Sequence, residues 1–115
     1  MIHLKNALES CEFKANYVKE GKQITESIDK SKFVKLEGNT ISFQIQDGVI
    51  PENGVNGIQA TDLMIFVKNL FESLDDSFPC PENHGTISHL SKAINWQEKR
   101  TQDRIKRQVE GKNEK

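Results

Sequence analysis

Residues 79–111 read PCPENHGTISHLSKAINWQEKRTQDRIKRQVEG, the pattern of one long helix whose character changes halfway. In its first half, apolar residues recur at helical spacing: Ile87, Leu90 and Ile94. After Trp96 the stretch is almost entirely polar. A helix that is polar on every side needs a partner, a ligand or dense charge pairing to stay ordered. We therefore expect this half-buried, half-polar helix, predicted to span residues 82–108, to carry the function.

A shorter amphipathic stretch precedes this helix, over residues 61–75. Thr61 and Asp62 are good capping residues and are predicted to open it. Its apolar side chains fall on one face at helical spacing: Leu63, Phe66, Val67, Leu70 and Leu74. The connection over residues 78–81 is short and contains two prolines, so the two helices should form an antiparallel hairpin.

Residues 6–50 are predicted to be β structure. Alternating apolar residues indicate a half-buried strand: Cys11, Phe13, Ala15 and Tyr17. Two further runs, 33–36 and 41–45, flank the turn residues Gly38 and Asn39 and predict a hairpin. The polar residues 19–31 fit either a loop or a weak edge strand.

The glycine-rich residues 47–60 are predicted to form a structured loop, because their Asn-Gly pairs are typical of turns and no P-loop lysine follows them. The predicted architecture is therefore α+β. An N-terminal antiparallel β-sheet is followed by a C-terminal antiparallel two-helix hairpin and a tail at residues 112–115.

The composition fits one domain, residues 1–115. Hydrophobic residues make up 35% of the chain and charged residues 29%, a balance that predicts a thin core and burial borrowed from an oligomer partner. No apolar run approaches the roughly 18 residues of a membrane span, so no membrane association is expected. The N-terminus lacks the apolar core of a signal peptide, and we expect a cytoplasmic protein with two reduced cysteines.

The net charge of −1 hides a basic stripe near the C-terminus. Residues 99–107 contain a single carboxylate, Asp103, and five cations: Lys99, Arg100, Arg104, Lys106 and Arg107. Duplex nucleic acid requires many phosphate contacts at once, so we do not expect DNA as a partner. The stripe suits a small anionic ligand or the acidic surface of a partner.

The residues that most often carry chemistry form no catalytic pattern. His84 and His89 are five residues apart, which does not place them together as metal ligands on a helix. Cys80 lies near a helix start, where a thiolate is favoured, but no base is linked to it by spacing. The sequence therefore predicts no catalytic residue, no metal ligand and no cofactor, and a protein that is not an enzyme.

A polar and basic set is the better candidate site. Asn83 lies in the first turn of the second helix, where free backbone N–H groups can bind an anion. Arg100 and Arg104 are one turn apart, so their guanidinium groups project from one face and can grip phosphate. The alternative is a solvated helix end whose cations complement the helix dipole.

Several motifs follow one another along the chain in a characteristic order and spacing: GVNGI at 54–58 with Asp62-Leu63, CPEN at 80–83, TISHL at 86–90, KRTQDR at 99–104 and VEG at 109–111. Over about residues 48–111 the chain resembles the Thoeris anti-defence family of phage proteins. The resemblance implies a homo-oligomer, a dimer or a higher assembly such as a hexamer. It also implies non-catalytic sequestration of cyclic ADP-ribose isomers in the cytoplasm of an infected bacterial cell. The related anti-CBASS sponges capture cyclic di- or trinucleotides.

The resemblance also implies which residues contact the ligand. Asn83 and Arg100 stand at the family's contact positions, and Thr101 and Arg104 are neighbours added on geometry. An aromatic residue near the end of the first helix should stack on the adenine. Here Leu74 occupies that position, with Phe71 one turn earlier and Phe78 just after it.

Three hypotheses follow from these observations. The first is a sponge that holds the signalling nucleotide intact, either cyclic ADP-ribose or a cyclic oligonucleotide. The second is an enzyme that hydrolyses the signal. The third is a helical-hairpin module whose residues 97–108 bind a host protein or nucleic acid.

Overall fold

The computed structural model describes residues 4–109, except for the side chains at 104, 105 and 107–109. Its elements in chain order are α1 (Leu4–Glu9), β1 (Lys14–Lys19), β2 (Lys22–Ser27), α2 (Lys30–Phe33), β3 (Val34–Glu37), β4 (Thr40–Phe43), α3 (Ile50–Asn53), α4 (Ala60–Ser77) and α5 (Pro81–Val109). This is an α+β fold, as the sequence predicts. The predicted tail at 112–115 lies outside the described residues.

The strands form two separate antiparallel hairpins, β1–β2 and β3–β4, and not the single N-terminal sheet that the sequence predicts. The β region also begins later than residue 6, because α1 occupies the start of the described chain. Leu4, Ala7 and Leu8 recur there at helical spacing, and Ala7 is buried against the core.

The polar segment 19–31 provides the second strand of the first hairpin, so its interpretation as an edge strand is the correct one. Lys19 pairs with Lys22 across a two-residue turn. Both turn residues, Glu20 and Gly21, have positive φ, at 54° and 76°. A turn of this kind matches the twist of the strands that it joins.

The second hairpin is confirmed where the sequence places it. Glu37 pairs with Thr40 around Gly38 and Asn39. Gly38 has a φ of 58°, which glycine adopts without a steric cost.

The loop over residues 44–59 connects β4 to α4, and the backbones of its two ends approach each other closely. Ile45 and Ile58 form an isolated parallel bridge, and the Ile58 N–H donates to the Gln44 carbonyl at 2.8 Å. A Cβ atom at Gly57 would lie 2.4 Å from the Ile45 carbonyl carbon, so this position requires glycine. The Asn56 side chain braces the same loop through two hydrogen bonds with the Asp47 backbone, at 2.8 and 2.9 Å.

The core lies where both hairpins and α1 meet the first long helix. Its buried members come from five regions of the chain: Ala7, Cys11, Phe13, Val34, Ile58 and Phe66. Phe66 of α4 packs edge-to-face against Phe43 of β4, with ring centroids 5.4 Å apart. The Cys11 thiol is 2% exposed and donates to the Ala7 carbonyl at 3.2 Å, and burial raises its pKa.

The helical hairpin is confirmed, with helices slightly longer than predicted. Helix α4 begins at Ala60 with Gln59 as its N-cap, so Thr61 and Asp62 lie inside the first turn. Asp62 nevertheless takes part in capping, because its carboxylate accepts from the Gln59 N–H in a capping box. Helix α5 begins at Pro81, since proline lacks the N–H that has no partner at this position. Its 29 residues exceed the 18 of α4, and its second half extends to β1 and β2. Within residues 4–109, no helix is long and apolar enough to cross a membrane.

Lys30 stabilises the C-terminal end of α1 from a distance in the sequence. Its ammonium group donates to the carbonyl oxygens of Leu8, Glu9 and Cys11 at 2.8, 3.2 and 2.7 Å. The last carbonyls of a helix have no partner within it, and a cation there also complements the helix dipole. Lys30 therefore holds α1 against α2.

Replacing Lys30 by methionine keeps the apolar stem but leaves these carbonyls without their donor. We expect the free energy of unfolding to fall by about 1.5–3 kcal/mol, the range for hydrogen bonds to charged groups. Lys32→Met, in the same helix and exposed, is the matched control and should change it by less than about 0.5 kcal/mol. Urea unfolding followed by circular dichroism measures both, and equal effects would contradict the capping role.

Candidate functional site between helix α5 and hairpin β1–β2

The residues predicted to contact a ligand lie in two groups at opposite ends of α5. Asn83 is in its first turn, whereas Arg100 and Thr101 follow 17 and 18 residues later. At about 1.5 Å per residue, Asn83 and Arg100 are roughly 25 Å apart along the axis. One protomer therefore does not bring them to the same small ligand.

The Arg100 group borders a concavity of about 570 Å³. One wall is the C-terminal half of α5, and the others are the β1–β2 hairpin and the first turn of α4. The lining residues are Glu12, Lys14, Asn16, Gln23, Thr25, Gln59, Ala60, Thr61, Asp62, Ile65, Gln97, Glu98, Arg100, Thr101 and Gln102. They are predominantly polar, and none of them is aromatic.

The floor of this concavity is held by two side chains that bind the outer edge of β1. The Gln59 amide accepts from the Asn16 N–H at 2.8 Å and donates to the Asn16 carbonyl at 2.9 Å. It pairs with the strand edge as a neighbouring strand would. One Asp62 oxygen accepts from the Lys14 N–H at 3.2 Å, and the other accepts from the Gln59 N–H at 3.1 Å.

Asp62 is 3% exposed, the one buried charged residue among those that the structure describes. Burial raises its pKa above the ordinary 3.8, and the hydrogen bonds from Gln59 and Lys14 oppose that rise. A carboxylate is costly to bury unless donors satisfy it. Asp62 both completes the capping box of α4 and joins α4 to β1, and the sequence predicted only the first of these roles.

The wall formed by α5 presents an exposed guanidinium beside a half-buried hydroxyl. Arg100 is exposed, and the Thr101 hydroxyl donates to the Gln97 carbonyl at 3.3 Å. The Arg104 backbone follows one turn later in α5, and its side chain lies outside the described residues. Arg100 and Thr101 thus line the same concave surface, whereas the shared face predicted for Arg100 and Arg104 stays a prediction.

The Asn83 group lies at the turn of the helical hairpin, where the asparagine has local partners. Its N–H donates to the Cys80 sulfur and its side-chain amide to the Phe78 carbonyl, both at 3.4 Å. Asp75 closes the same connection, since it accepts from the Cys80 N–H at 3.2 Å and pairs with His84 at 2.8 Å. The geometry gives Asn83 a role in bracing this turn.

The three residues predicted to supply a stacking surface are at this second end. Phe71 and Leu74 are half-buried in the last turns of α4, whereas Phe78 is 68% exposed at the start of the connection. An exposed phenyl ring can stack on a planar base, and Phe78 is the most accessible of the three.

The concavity suits a small polar molecule that carries both phosphates and hydroxyl groups. Arg100 and Lys14 supply cations, while Glu12, Glu98 and the amide side chains supply partners for hydroxyl groups. Gln59, Gln23 and Thr25 were missed at the sequence level. They carry no motif, and they reach the site only through the pairing of β1 with β2 and with α4.

Fold and site together define a small α+β domain with a ligand-sized polar concavity beside a helical hairpin. Neither a protein-family model nor a solved structure matches the chain. A curated protein does match: "Thoeris anti-defense 1" of Bacillus phage SBSphiJ7 is 39% identical over 77 residues. The match covers 66% of this chain and 53% of that protein, so the chain spans about half the length of its curated relative. This similarity confirms the resemblance read from the motifs, and the chain belongs to the Thoeris anti-defence family.

The raised pKa of Asp62 predicts an unusual dependence of stability on pH. In the interval above pH 3.8 the folded state binds this proton more tightly than the unfolded state, so the contribution of Asp62 to stability falls as pH rises. Asp62→Asn removes that titration. The free energy of unfolding of the parent protein minus that of the variant should therefore decrease as pH is raised from 3.8 through the folded-state pKa.

Urea unfolding of the parent protein and the variant at matched pH values between 4 and 7 measures this difference. Asp76→Asn, which changes an exposed carboxylate at the other end of α4, is the control. A difference that stays flat or increases with pH would show that burial does not dominate at Asp62.

Proposed function

We propose that this protein binds a cyclic ADP-ribose-type signalling nucleotide and holds it intact, so that Thoeris immunity is blocked. The observation that carries the proposal is the position of the Lys-Arg-Thr motif. In this chain, which is similar to an anti-defence protein, Arg100 and Thr101 of that motif line the concavity. The ligand would be captured in the cytoplasm of an infected bacterial cell.

The dimensions and chemistry of the concavity support this ligand class. A volume of about 570 Å³ lies within the usual range for small-molecule sites. Cyclic ADP-ribose carries two phosphates, two riboses and one purine. Arg100 can bind phosphate through two parallel hydrogen bonds, and the carboxylates and amides nearby can bind ribose hydroxyl groups.

A site that includes Asn83 as well requires a second copy of the chain. Since Asn83 and Arg100 are roughly 25 Å apart in one protomer, both can touch one nucleotide only if they come from different protomers. In such a site one protomer contributes Asn83 with Phe71, Leu74 and Phe78. The other contributes Arg100, Thr101 and Arg104. This division supports a homo-oligomer, a dimer or a higher assembly.

Arg100→Ala should weaken nucleotide binding by roughly 10- to 100-fold, because one charge-assisted hydrogen-bonding group contributes about 1.5–3 kcal/mol. Lys106→Ala removes an exposed cation of the same helix that does not line the concavity, and it should bind as the parent does. Calorimetric titration with cyclic ADP-ribose isomers measures both variants. Unchanged affinity of Arg100→Ala would remove the site assignment.

Mixing two defective proteins tests whether the site is shared between protomers. If Asn83 and Arg100 act from different copies, Asn83→Ala and Arg100→Ala each lose binding. A mixed dimer of the two, however, regenerates one complete site out of two. Binding that fails to return in re-equilibrated mixtures would place the ligand within a single protomer.

The molecule that the protein releases shows whether it stores its ligand intact or hydrolyses it. After incubation with the ligand and denaturation by heat, a sponge returns the intact cyclic nucleotide, which chromatography identifies. Recovery of a linear product would instead make the protein an enzyme.

Two other candidates are distinguished by the same titrations. A protein related to the anti-CBASS sponges would bind cyclic di- or trinucleotides more tightly than cyclic ADP-ribose. A module that docks residues 97–108 on nucleic acid would lose affinity steeply with salt, whereas a pocket with a few phosphate contacts would lose much less.

A further inference from the structure

Two glutamates, Glu12 and Glu98, line the concavity from opposite walls. Both are exposed, and neither forms an ion pair with any side chain that the structure describes. The same holds for Lys14 and Arg100, the two cations that line the concavity. Charged groups of both signs therefore share one concavity and do not neutralise each other there.

The pattern of burial at the start of β1 places Glu12 on the wall of the concavity. Cys11, Phe13 and Ala15 are buried, whereas Glu12 and Lys14 between them are exposed. This alternation is that of a strand, whose successive side chains point to opposite faces. Glu12 and Lys14 are therefore neighbours on the face that lines the concavity, roughly 7 Å apart along the chain.

Helix α5 sends its two charged groups in different directions. Each residue turns a helix by about 100°. Viewed from Thr101, which is half-buried on this wall, Arg100 projects about 100° to one side and Glu98 about 60° to the other. Residues two apart on a helix do not face each other. The wall therefore has a basic edge and an acidic edge, with the threonine hydroxyl between them.

This separation of charge matches the polarity of a nucleotide that contains riboses. Its phosphates require cations, whereas its ribose hydroxyl groups are donors that a carboxylate can accept. Dinucleotide-binding folds use the same chemistry. In those folds an acidic residue accepts from the ribose hydroxyl of NAD, and an arginine takes its place where the 2′-phosphate of NADP is bound.

We propose that Glu12 and Glu98 make the concavity selective for nucleotides whose ribose hydroxyl groups are free, and against those that carry a phosphate on a ribose. The inference rests on the proposed function, since it concerns the same concavity and the same class of ligand. Lys14 and Arg100 bind the bridging phosphates, and the two glutamates bind hydroxyl groups. The preferred ligand is then a cyclised product of NAD, and the rejected one is the corresponding product of NADP.

The physical reason for the rejection is repulsion between like charges. A phosphate monoester carries a charge of about −1.5 to −2 at neutral pH. On a ribose it would replace a donor by an anion beside a carboxylate. The repulsion is screened by salt, so the selectivity should decrease as ionic strength rises.

Calorimetric titration with cyclic ADP-ribose and with its 2′-phosphate measures the selectivity. The parent protein should bind cyclic ADP-ribose at least about tenfold more tightly than the 2′-phosphate, a difference that one repelled charge can supply. The preference should shrink when the titrations are repeated at high salt.

Glu12→Gln and Glu98→Gln keep the size of each side chain and remove its charge. Each should weaken the binding of cyclic ADP-ribose by about three- to tenfold, because a neutral hydrogen bond replaces a charge-assisted one. Neither should weaken the binding of the 2′-phosphate, so the ratio of the two affinities should fall. Glu37→Gln in β3 changes an exposed glutamate that does not line the concavity, and it should leave both affinities unchanged.

Arg100→Ala provides the second control. It removes a phosphate contact that both ligands share, so it should weaken both to a similar extent and leave their ratio as it is in the parent. A change in the ratio is therefore specific to the glutamates. Circular dichroism verifies that each variant is folded.

Equal affinity of the parent protein for the two nucleotides would overturn the inference and leave the proposed function intact. So would glutamine variants that both bind every cyclic ADP-ribose isomer as tightly as the parent does. A folded parent protein that binds no cyclic ADP-ribose isomer would instead overturn the proposed function, and this inference with it.

Discussion

The fold depends on the polar junction between the first turn of α4 and the outer edge of β1. Gln59 and Asp62 satisfy three backbone groups of that edge, so the strand is paired on both sides although its sheet has only two strands. An unpaired strand edge exposes donors and acceptors that invite other chains. The same junction fixes the direction of α4, and therefore of α5, relative to the β1–β2 hairpin. The concavity exists because that direction carries the far end of α5 back over the strands.

The helical hairpin could be predicted from the sequence almost to the residue. Apolar residues at helical spacing and the prolines at 79 and 81 define both helices. Such local patterns predict a helix without any knowledge of the tertiary contacts. The β3–β4 hairpin was equally visible, because Gly38 and Asn39 are typical of its turn. The β1–β2 turn was not, since Glu20 at positive φ is uncommon and carries no sequence signal. The N-cap was misplaced because glutamine is not among the residue types that usually occupy this position, although Asp62 does complete the capping box.

The candidate site shows which of its residues a sequence motif can predict and which it cannot. The spacing of Arg100 and Thr101 is local, and the structure does bring them to one surface. The residues that complete the concavity come from strands that pair only in three dimensions, so no linear pattern predicts Gln23 or Thr25. Asn83 shows the reverse case. Its motif is clear, yet the rise of the helix separates it from the arginines, and only the length of the ordered helix makes that separation evident.

The two cysteines differ in a way that has a practical consequence. Cys11 is sealed beneath α1, with its sulfur hydrogen-bonded to Ala7 and accepting from Asn69 at 3.1 Å, whereas Cys80 is half-buried at the hairpin turn. A thiol reagent can reach the first sulfur only when α1 detaches from α4. Labelling kinetics at Cys11 would therefore report transient opening of the N-terminal segment, a motion that global unfolding curves average away. The rate at which Cys11 is labelled would therefore measure how often the N-terminal segment opens in the native protein.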